Sequence, residues 1–378
     1  MAELYLKNPF STGIMRKDDD FCNRDVEKQE LLKLAMNGSN VVIFSPRRGG
    51  KSSLIGRVQE DLEKQGFRTV SIDLFSVISE TDLLLRFARA FYHGLGKGMS
   101  PRKFLENIGE FIRKIPVELT QEGYKFYAQY GIPTEQQFVD LLSGMNAYVT
   151  KNKLRVHITC DEFQELVILP HAKKFEGTLR SQMQGQSAIS YFFVGSRRRV
   201  LQDMFFDRSR PFYKSAFTFE LKEIPRDEFA AFIMGKFSSS GKDCPRDSAV
   251  EIYNLVRGFP SYVQKLSSLV WDMTEERVEL SIVRDAFVKL IKLEEAEFAA
   301  TWSGLSLNQK KLLRAIADEP TASPYGKDFI AKYDLSLGGT QGAMKVLREM
   351  DIVETHEDGK AKIYRVTDPV IGAWAKSE

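Results

Sequence analysis

Residues 39–66 read SNVVIFSPRRGGKSSLIGRVQEDLEKQG, and this stretch decides the fold of the chain. The run VVIF is short, apolar and rich in β-branched residues, which is typical of a buried strand. A loop with a glycine pair at positions 49 and 50 follows, and the residues after it have helical periodicity. The order of strand, loop and helix predicts an α/β protein with a parallel sheet.

The loop after the strand, SPRRGGKS, follows the phosphate-binding pattern G-x-x-x-x-G-K-[ST], with Ser45 in place of the first glycine. In that pattern glycines let backbone N–H groups approach phosphates, the lysine reaches the β and γ phosphates, and the hydroxyl binds Mg2+. We expect the small Ser45 to be tolerated. The predicted nucleotide-binding residues are Ser45, Pro46, Arg47, Arg48, Gly49, Gly50, Lys51, Ser52 and Ser53. The alternative is an ordinary strand-to-helix turn in which Lys51 is a solvated charge.

A second strand-like run, VHITC, is followed directly by Asp161 and Glu162. An aspartate at a strand end can position Mg2+ and its water, and the adjacent glutamate can polarise the attacking water. The pair therefore predicts ATP hydrolysis in addition to binding, with Ser52 and Asp161 as the Mg2+ ligands. The alternative is an acidic pair at a helix N-terminus, which the helix dipole favours.

Further strand-like runs lie at 67–75, 188–196 and 217–224, separated mostly by helical stretches. Such runs are typical of buried parallel strands. The predicted fold class is α/β, a P-loop NTPase parallel sheet with helices on both faces. We interpret residues 79–152 as an insert, in which IPVELTQEGYKFYAQ forms either a hairpin or a helix break.

The strand pattern stops after Pro225, and helical periodicity continues to about residue 302. From Ser303 onward three helical segments precede two apolar runs that flank Glu357-Asp358-Gly359, a pattern that indicates a winged helix. The predicted domains are a P-loop core at 1–224, a helical lid at 225–302 and a winged-helix domain at 303–378.

Arginines close to a transferred phosphoryl group stabilise its developing charge. Arg197 follows Gly195-Ser196 at the end of a predicted strand, so it either contacts the γ phosphate or belongs to a solvated basic loop. The other candidates in the sequence are Arg47, Arg48, Arg198, Arg199, Arg208 and Arg210.

Over nearly the whole chain these motifs resemble the archaeal-type ATPase family, in the STAND branch of P-loop NTPases. The resemblance implies that Arg24 and Glu27, in FCNRDVE, line the nucleotide base. It implies that Ser196 and Arg197, in FFVGSRRR, sense the nucleotide state. It implies that the Gly258 and Pro260 of GFPSYVQKL pack near the adenine.

Two positions depart from the family pattern. Asn23 replaces the more frequent glycine, and Lys214-Ser215 stands where many relatives have Gly-Arg. An arginine finger at the second position is therefore not expected. The chain also lacks the nuclease-like extension of some relatives, so DNA cleavage is not predicted.

Composition narrows the class of protein. A formal charge of +3 and a charged fraction of 28% do not indicate a nucleic-acid-binding protein by themselves. No apolar run is long enough to span a bilayer and the first twenty residues lack the features of a secretory signal, so we expect no membrane partner and a cytoplasmic location. Three cysteines at wide spacing and four scattered histidines indicate neither a disulfide framework nor a zinc site.

The charge of the winged-helix segment does not indicate whether it binds DNA or protein, because its eleven basic and eleven acidic residues balance. Five cations nevertheless lie where a winged helix would meet double-stranded DNA: Lys345 and Arg348 on the third helix, and Lys360, Lys362 and Arg365 on the hairpin. The alternative is a module that docks on protein, either an unknown partner or the ATPase core.

The sequence therefore predicts a Mg2+-dependent enzyme that binds ATP and ADP and acts as a molecular switch. Its nucleotide state would control the arrangement of lid and winged helix and the self-association of the chain. Two alternatives stay open. One is a DNA-binding protein whose nucleotide site controls DNA affinity, and the other is a nucleotide-binding scaffold with negligible turnover.

Overall fold

The computed structural model describes residues 7–11, 21–45, 47–96, 99–100, 103–104, 117–120, 123–128, 134–358 and 361–377. The described chain forms two compact units. One comprises Arg24–Arg47 and Lys51–Lys222, and we call it the sheet unit. The other comprises Arg48–Gly50 and Glu223–Glu378 with the described residues up to Asn23, and we call it the C-terminal unit.

A five-stranded sheet with the order β2-β5-β6-β1-β7 organises the sheet unit. All its neighbouring strands pair in parallel, as the apolar runs predicted. A separate antiparallel pair, β3-β4, resolves the two alternatives for the insert in favour of a hairpin. The strands are β1 (Val41–Phe44), β2 (Arg68–Asp73), β3 (Val117–Thr120), β4 (Gly123–Phe126), β5 (Val156–Asp161), β6 (Ile189–Gly195) and β7 (Phe217–Glu220).

Within the described residues, α-helices with complete bounds flank the sheet, and a 3₁₀ helix, Phe163–Ile168, follows β5. The helices are α1 (Asp25–Met36), α2 (Lys51–Lys64), α3 (Glu80–Leu95), α4 (Thr134–Lys151), α5 (Ala172–Gln184) and α6 (Arg198–Phe206).

The core of this unit lies along β5 and β6, whose side chains are almost all buried because the parallel strands are covered on both faces. Phe163 and Phe193 pack at 4.5 Å between ring centroids. His157 is fully buried with its ring nitrogens 2.9 Å from Ser190 Oγ and 3.2 Å from Thr159 Oγ1. Burial lowers the pKa of His157 to about 3, so this histidine is a neutral core residue.

The C-terminal unit is built from helices and one hairpin. Its elements are α7 (Arg226–Ser239), α8 (Arg246–Leu255), α9 (Pro260–Met273), α10 (Leu280–Ser303), α11 (Leu307–Asp318), α12 (Lys327–Lys332), α13 (Leu337–Glu349), β8 (Val353–Asp358), β9 (Ala361–Val366) and α14 (Pro369–Ala375).

The second half of this unit, three helices followed by the antiparallel β8-β9 pair, is the predicted winged-helix pattern. Ser306 begins its first helix with a capping box to Gln309, which satisfies backbone N–H groups at the helix start. Trp374 of the last helix packs against Phe298 and Trp302 of α10 at 6.0 and 5.6 Å between ring centroids. Within the described residues, no helix is both long and apolar enough to cross a membrane.

Candidate functional site

Lys51 is the first residue of α2 and follows the loop that leaves the carboxyl end of β1. Its side chain is buried, and Nζ donates a hydrogen bond to the Ser45 carbonyl at 2.9 Å. Burial lowers the pKa of Lys51 to about 8, against the opposing effect of the Glu162 and Asp161 carboxylates. The ammonium group is thus poorly solvated and close to acidic groups, so a bound phosphate would stabilise its charged form.

Ser52 and Asp161 supply two neighbouring oxygens, because α2 starts and β5 ends at the same edge of the sheet. Ser52 Oγ donates to Asp161 Oδ2 at 3.5 Å. Burial raises the pKa of Asp161, and the backbone N–H of Glu162, 2.9 Å from Asp161 Oδ1, opposes this effect. A hydroxyl and a carboxylate are ligands that suit Mg2+, which takes oxygen donors and keeps waters and phosphate oxygens as its remaining ligands. The two residues therefore fit the predicted metal.

Glu162 lies directly beyond β5 in a left-handed backbone conformation, with φ of 48°. Its Oε2 accepts a hydrogen bond from Ser196 Oγ at 3.0 Å and another from the side-chain amide of Gln164. Ser196 is buried at the end of β6, the strand next to β5. The structure thus brings the predicted base and the predicted sensor serine into direct contact.

The candidate arginines of the sheet unit differ in their surroundings. Arg197 is about one-third exposed, with Nη1 3.9 Å from Glu165 Oε1. Arg198 makes a bidentate pair with Glu220 at 2.6 and 3.1 Å. Arg210 pairs with Glu176, a fully buried carboxylate whose pKa rises to about 7 because burial outweighs the attraction of Arg210. Arg198 and Arg210 thus pair closely with protein carboxylates, whereas Arg197, next to Ser196 in the chain, lies at a longer distance from its carboxylate, Glu165.

Arg24 and Glu27 form an ion pair at the start of α1, with 2.6 Å between Nη1 and Oε1. Arg24 is buried and has a left-handed backbone with φ of 94°. Their predicted contact with the base of the nucleotide stays a prediction. Ser53 is half-buried in the first turn of α2, and Pro46 lies outside the described residues.

Gly50 and Pro260 pack together inside the C-terminal unit. Gly50 has φ of 85°, and a Cβ at this position would lie 3.7 Å from Pro260 Cγ. Gly258 has φ of 64°, and a Cβ there would lie 2.4 Å from the Tyr253 ring, so this position requires glycine. The predicted lid motif thus borders residues 48–50 of the phosphate-binding loop.

Arg48, in the middle of that loop, is enclosed by acidic side chains of α10 and by Asp368. Its guanidinium donates to Glu297 Oε2 at 2.9 Å, Glu294 Oε2 at 3.2 Å and Asp368 Oδ2 at 3.0 Å, and it lies 4.8 Å from the centre of the Tyr262 ring. Burial alone would lower the pKa of Arg48, but Tyr262 and the three carboxylates raise it above its ordinary value. We call Glu294, Glu297 and Asp368 the acidic cluster.

Asp368 ties this cluster to the start of α14. Its Oδ1 accepts from the backbone N–H groups of Val370 and Ile371 at 2.9 and 3.1 Å, while Oδ2 accepts from Arg48 and from the Tyr262 hydroxyl. One carboxylate thereby serves as the helix cap and as an ion-pair partner. The loop, α9 and the last helix meet at this residue.

The predicted DNA-contact residues of the winged helix lie in mixed surroundings. Lys345 and Lys362 are exposed on α13 and β9, and the backbone of Lys362 lies opposite that of Glu357 in the hairpin register. Arg348 lies over the Tyr364 ring at 5.7 Å. Arg365 pairs with Glu354 at 2.7 Å and Glu223 at 3.4 Å, so its charge is already neutralised. Lys360 lies outside the described residues.

Comparisons with known proteins agree with this architecture. A family model described as "Probable winged helix domain" matches residues 296–377. The structure of the Walker-type ATPase PABY2304 of Pyrococcus abyssi is similar over 97% of this chain and 99% of that one, with a TM-score of 0.70 and 16% identity. The fold is that of a P-loop ATPase with a C-terminal winged helix.

Two further similar structures come from Aeropyrum pernix. Its ORC2 protein, described in ADPNP-ADP complexes, covers 94% of this chain and 92% of its own, with a TM-score of 0.58 and 15% identity. Its ORC1 protein, described in complex with DNA, covers 95% and 94%, with a TM-score of 0.51 and 14% identity. At these identities the likeness establishes the fold alone. No curated protein matches the chain.

Two features of the site were not predicted from the sequence. Gln164 could have been identified from its spacing, because it stands two residues after Glu162 in DEFQ. The acidic cluster had no local signal, because its members lie 246 to 320 residues from Arg48 in the chain.

Proposed function

We propose that this protein is a Mg2+-dependent ATPase. The observation that carries the proposal is the convergence, at one edge of a parallel sheet, of a buried lysine, a hydroxyl beside a carboxylate, and a second carboxylate bound to a serine. These groups come from the ends of β1, β5 and β6, and α/β sheets bind ligands outside the carboxyl ends of their strands.

Each residue has a role that follows from its surroundings. Lys51 binds the β and γ phosphates, and its charge is stabilised as it gains phosphate oxygens. Ser52 and Asp161 hold Mg2+, which when bound offsets charge on the phosphates. Glu162 orients the attacking water and accepts its proton while the water oxygen bonds to the γ phosphorus and the bond to the leaving ADP oxygen breaks. Ser196 keeps the Glu162 carboxylate in place.

The proposal is tested by measuring phosphate release at several protein concentrations for the wild type and for Lys51→Ala. We expect release that requires Mg2+ in the wild type and none above background in the variant. Wild-type protein that keeps stoichiometric ATP without hydrolysing it would instead identify a nucleotide-binding scaffold.

We also propose that the nucleotide state controls the arrangement of lid and winged helix, and through it self-association. Arg48 supports this, because one loop residue contacts α10 and Asp368 at the start of α14. A nucleotide phosphate would compete with the acidic cluster for this guanidinium, since both offer anionic oxygens that accept charge-assisted hydrogen bonds from arginine. ATP binding would then release the cluster.

Self-association is tested by sedimentation of the wild type with ADP, with ATP and with a non-hydrolysable ATP analogue. We expect larger particles with ATP or the analogue than with ADP. A monomer under all three conditions, with a turnover rate independent of protein concentration, would contradict self-association and leave the ATPase proposal intact.

A second candidate function is nucleotide-controlled binding of double-stranded DNA. It is favoured by the exposed Lys345 and Lys362 on the third helix and wing of a winged-helix fold, and ORC1, a protein of similar fold, is described in complex with DNA. The neutralised Arg365 counts against it.

The DNA candidate is tested by duplex affinity as a function of salt. For a DNA-binding winged helix, Lys345→Ala and Lys362→Ala should each reduce the salt slope by about 1, because each removes one phosphate contact. Lys289→Ala, at an exposed position on α10, is the control. An affinity that none of the three variants changes would favour a protein partner for this domain.

A further inference from the structure

Gln164 is almost completely buried, at 1% exposure, although its side chain is polar. It lies in the first turn of the 3₁₀ helix that follows Glu162. Its side-chain amide donates to Glu162 Oε2, the same oxygen that accepts from Ser196 Oγ at 3.0 Å. Two donors, one from the helix after β5 and one from the end of β6, thus converge on a single carboxylate oxygen.

The end of β6 leaves room for this amide only because residue 195 is glycine. A Cβ at Gly195 would lie 1.9 Å from Gln164 Oε1 and 2.9 Å from Leu201 Cδ1. Real Cβ contacts essentially never fall below 3.0 Å, so any side chain at 195 would displace Gln164 or the adjacent helix. The position of the glutamine is therefore set from both of its sides, by Glu162 and by Gly195.

The orientation of the amide is also determined. Within the described part of the chain, Gln164 Oε1 is buried and has no hydrogen-bond partner. Turning the amide over would place that oxygen against the Glu162 carboxylate, and two acceptors would face each other. A buried acceptor without a partner destabilises the protein, so the arrangement keeps an N–H donor on Glu162 at a cost in stability.

We propose that Gln164 is a positioning residue for the base of the proposed ATPase. Gln164 and Ser196 hold Oε2 of Glu162, and Oε1 is left to orient the water and accept its proton. Glu162 needs such support because it follows β5 in a left-handed conformation that a non-glycine residue adopts only when its surroundings enforce it. This inference rests on the proposed function, because it assigns Gln164 a part in the same reaction.

The test compares kcat and KM for the wild type, Gln164→Leu and Gly195→Ala, with ATP affinity measured separately by a fluorescent ATP analogue. Leucine has nearly the size of glutamine but no donor, and alanine at 195 displaces the amide without changing it. We expect kcat to fall about 10- to 100-fold in both variants, in the range lost when a catalytic group is misplaced. KM and ATP affinity should stay within about twofold, because Gln164 contacts the Glu162 carboxylate, which acts in the chemical step rather than in holding the nucleotide.

Gln186→Leu is the matched control. Gln186 is also a buried glutamine, and its Oε1 accepts a hydrogen bond from the Tyr191 hydroxyl at 2.6 Å. It precedes β6 and so lies at the opposite end of the strand from Ser196. Its kcat per folded molecule should equal that of the wild type. Equal losses of kcat in Gln164→Leu and Gln186→Leu would show that Gln164 is merely structural, and would overturn the proposal.

A double-mutant cycle with Glu162→Gln separates positioning from a direct role. If Gln164 acts only through Glu162, Gln164→Leu should change the residual single-turnover rate of Glu162→Gln by less than about twofold. A further tenfold loss in the double variant would overturn the proposal. Should Gln164→Leu fail to fold, Gln164→Met has nearly the same length, has no N–H donor and is expected to show the same loss.

The outcomes also separate this inference from the proposed function. A wild type without Mg2+-dependent turnover would refute the ATPase itself. A wild type that turns over, with Gln164→Leu and Gly195→Ala at the same kcat, would refute only the positioning role.

Discussion

Lys51 and Arg48 are two cations of the same loop, three positions apart, and their environments differ in kind. Burial lowers the pKa of Lys51 to about 8, and its ammonium donates a hydrogen bond to the neutral carbonyl of Ser45. The pKa of Arg48 is raised instead, because Tyr262 and the acidic cluster outweigh the effect of burial. Lys51 would gain interactions from an anionic ligand, whereas Arg48 would have to exchange protein carboxylates for it.

This difference suggests separate roles for the two cations, Lys51 in binding phosphate and Arg48 in the response of the C-terminal unit to it. In the proposed function, a desolvated cation at the start of α2 would give affinity for phosphate, while a cation already paired with carboxylates would make the same loop sensitive to a change of partner. Substitution of Lys51 should therefore change nucleotide affinity, and substitution of Arg48 should change the stability of the C-terminal unit.

The largest effect is expected for Lys51→Ala. Loss of the buried ammonium should weaken ATP binding about 100-fold, the size of effect seen when a preorganised electrostatic contact is removed. The measurement is titration with a fluorescent ATP analogue. An affinity within threefold of the wild type would mean that Lys51 is a surface charge rather than a phosphate ligand.

Arg48→Ala should act on stability instead. It leaves the carboxylates of Glu297 and Asp368 without this cation, while Glu294 keeps its ion pair with Lys265. We expect the C-terminal unit to lose about 2 kcal/mol of unfolding free energy, less than for a fully buried pair. All three tryptophans, at 271, 302 and 374, lie in that unit, so their fluorescence in urea follows its unfolding.

Arg47→Ala is the control for Arg48→Ala, because its side chain is exposed beside Arg48 in sequence. It should change the tryptophan-monitored unfolding free energy by less than about 0.5 kcal/mol, as surface substitutions usually do. Equal losses in the two variants would remove the distinction between the paired Arg48 and the exposed Arg47 of the same loop.

Much of this account follows from local sequence. Short apolar runs predicted the five parallel strands, and the spacing from Ser45 to Ser52 and the residues after VHITC predicted which side chains would meet at the sheet edge. The acidic cluster was not predictable in this way. Ion pairs between residues hundreds of positions apart depend on how helices pack, and a carboxylate on α10 has the same sequence signature as a solvated one.

The lowered pKa of Lys51 also predicts how the stability of the protein and its affinity for ATP depend on pH. Between about pH 8 and the ordinary pKa of 10.5, Lys51 is neutral in the folded protein but protonated in the unfolded chain. The unfolded state then binds more protons, so this group makes the ligand-free protein more stable as pH rises through that window.

ATP affinity should move in the opposite direction, because phosphate binds the charged form of Lys51. We expect it to be level from pH 7 to 7.5 and to fall by up to about tenfold per pH unit above pH 8. Titration with the fluorescent analogue checks this. An affinity that stays constant to pH 9.5 would show that the charge of Lys51 does not contribute to binding.

The smallest effect is expected for Glu297→Gln. Its side chain is 56% exposed, whereas that of Glu294 is 10% exposed, so its ion pair with Arg48 is weakened by solvent. We expect the tryptophan-monitored unfolding free energy to fall by about 0.5 kcal/mol, as for exposed ion pairs. A loss as large as that of Arg48→Ala would place most of the pairing energy on this one carboxylate.

The most direct test of the central claim is phosphate release by the wild type and by Glu162→Gln, with and without Mg2+ and with and without duplex DNA. We predict Mg2+-dependent release that falls about 100-fold in Glu162→Gln, while binding of the fluorescent ATP analogue is retained, because only the proton acceptor is lost. A rate that rises with DNA would make this a DNA-coupled ATPase. Equal rates for the two proteins, or no release by the wild type under any of these conditions, would contradict the account.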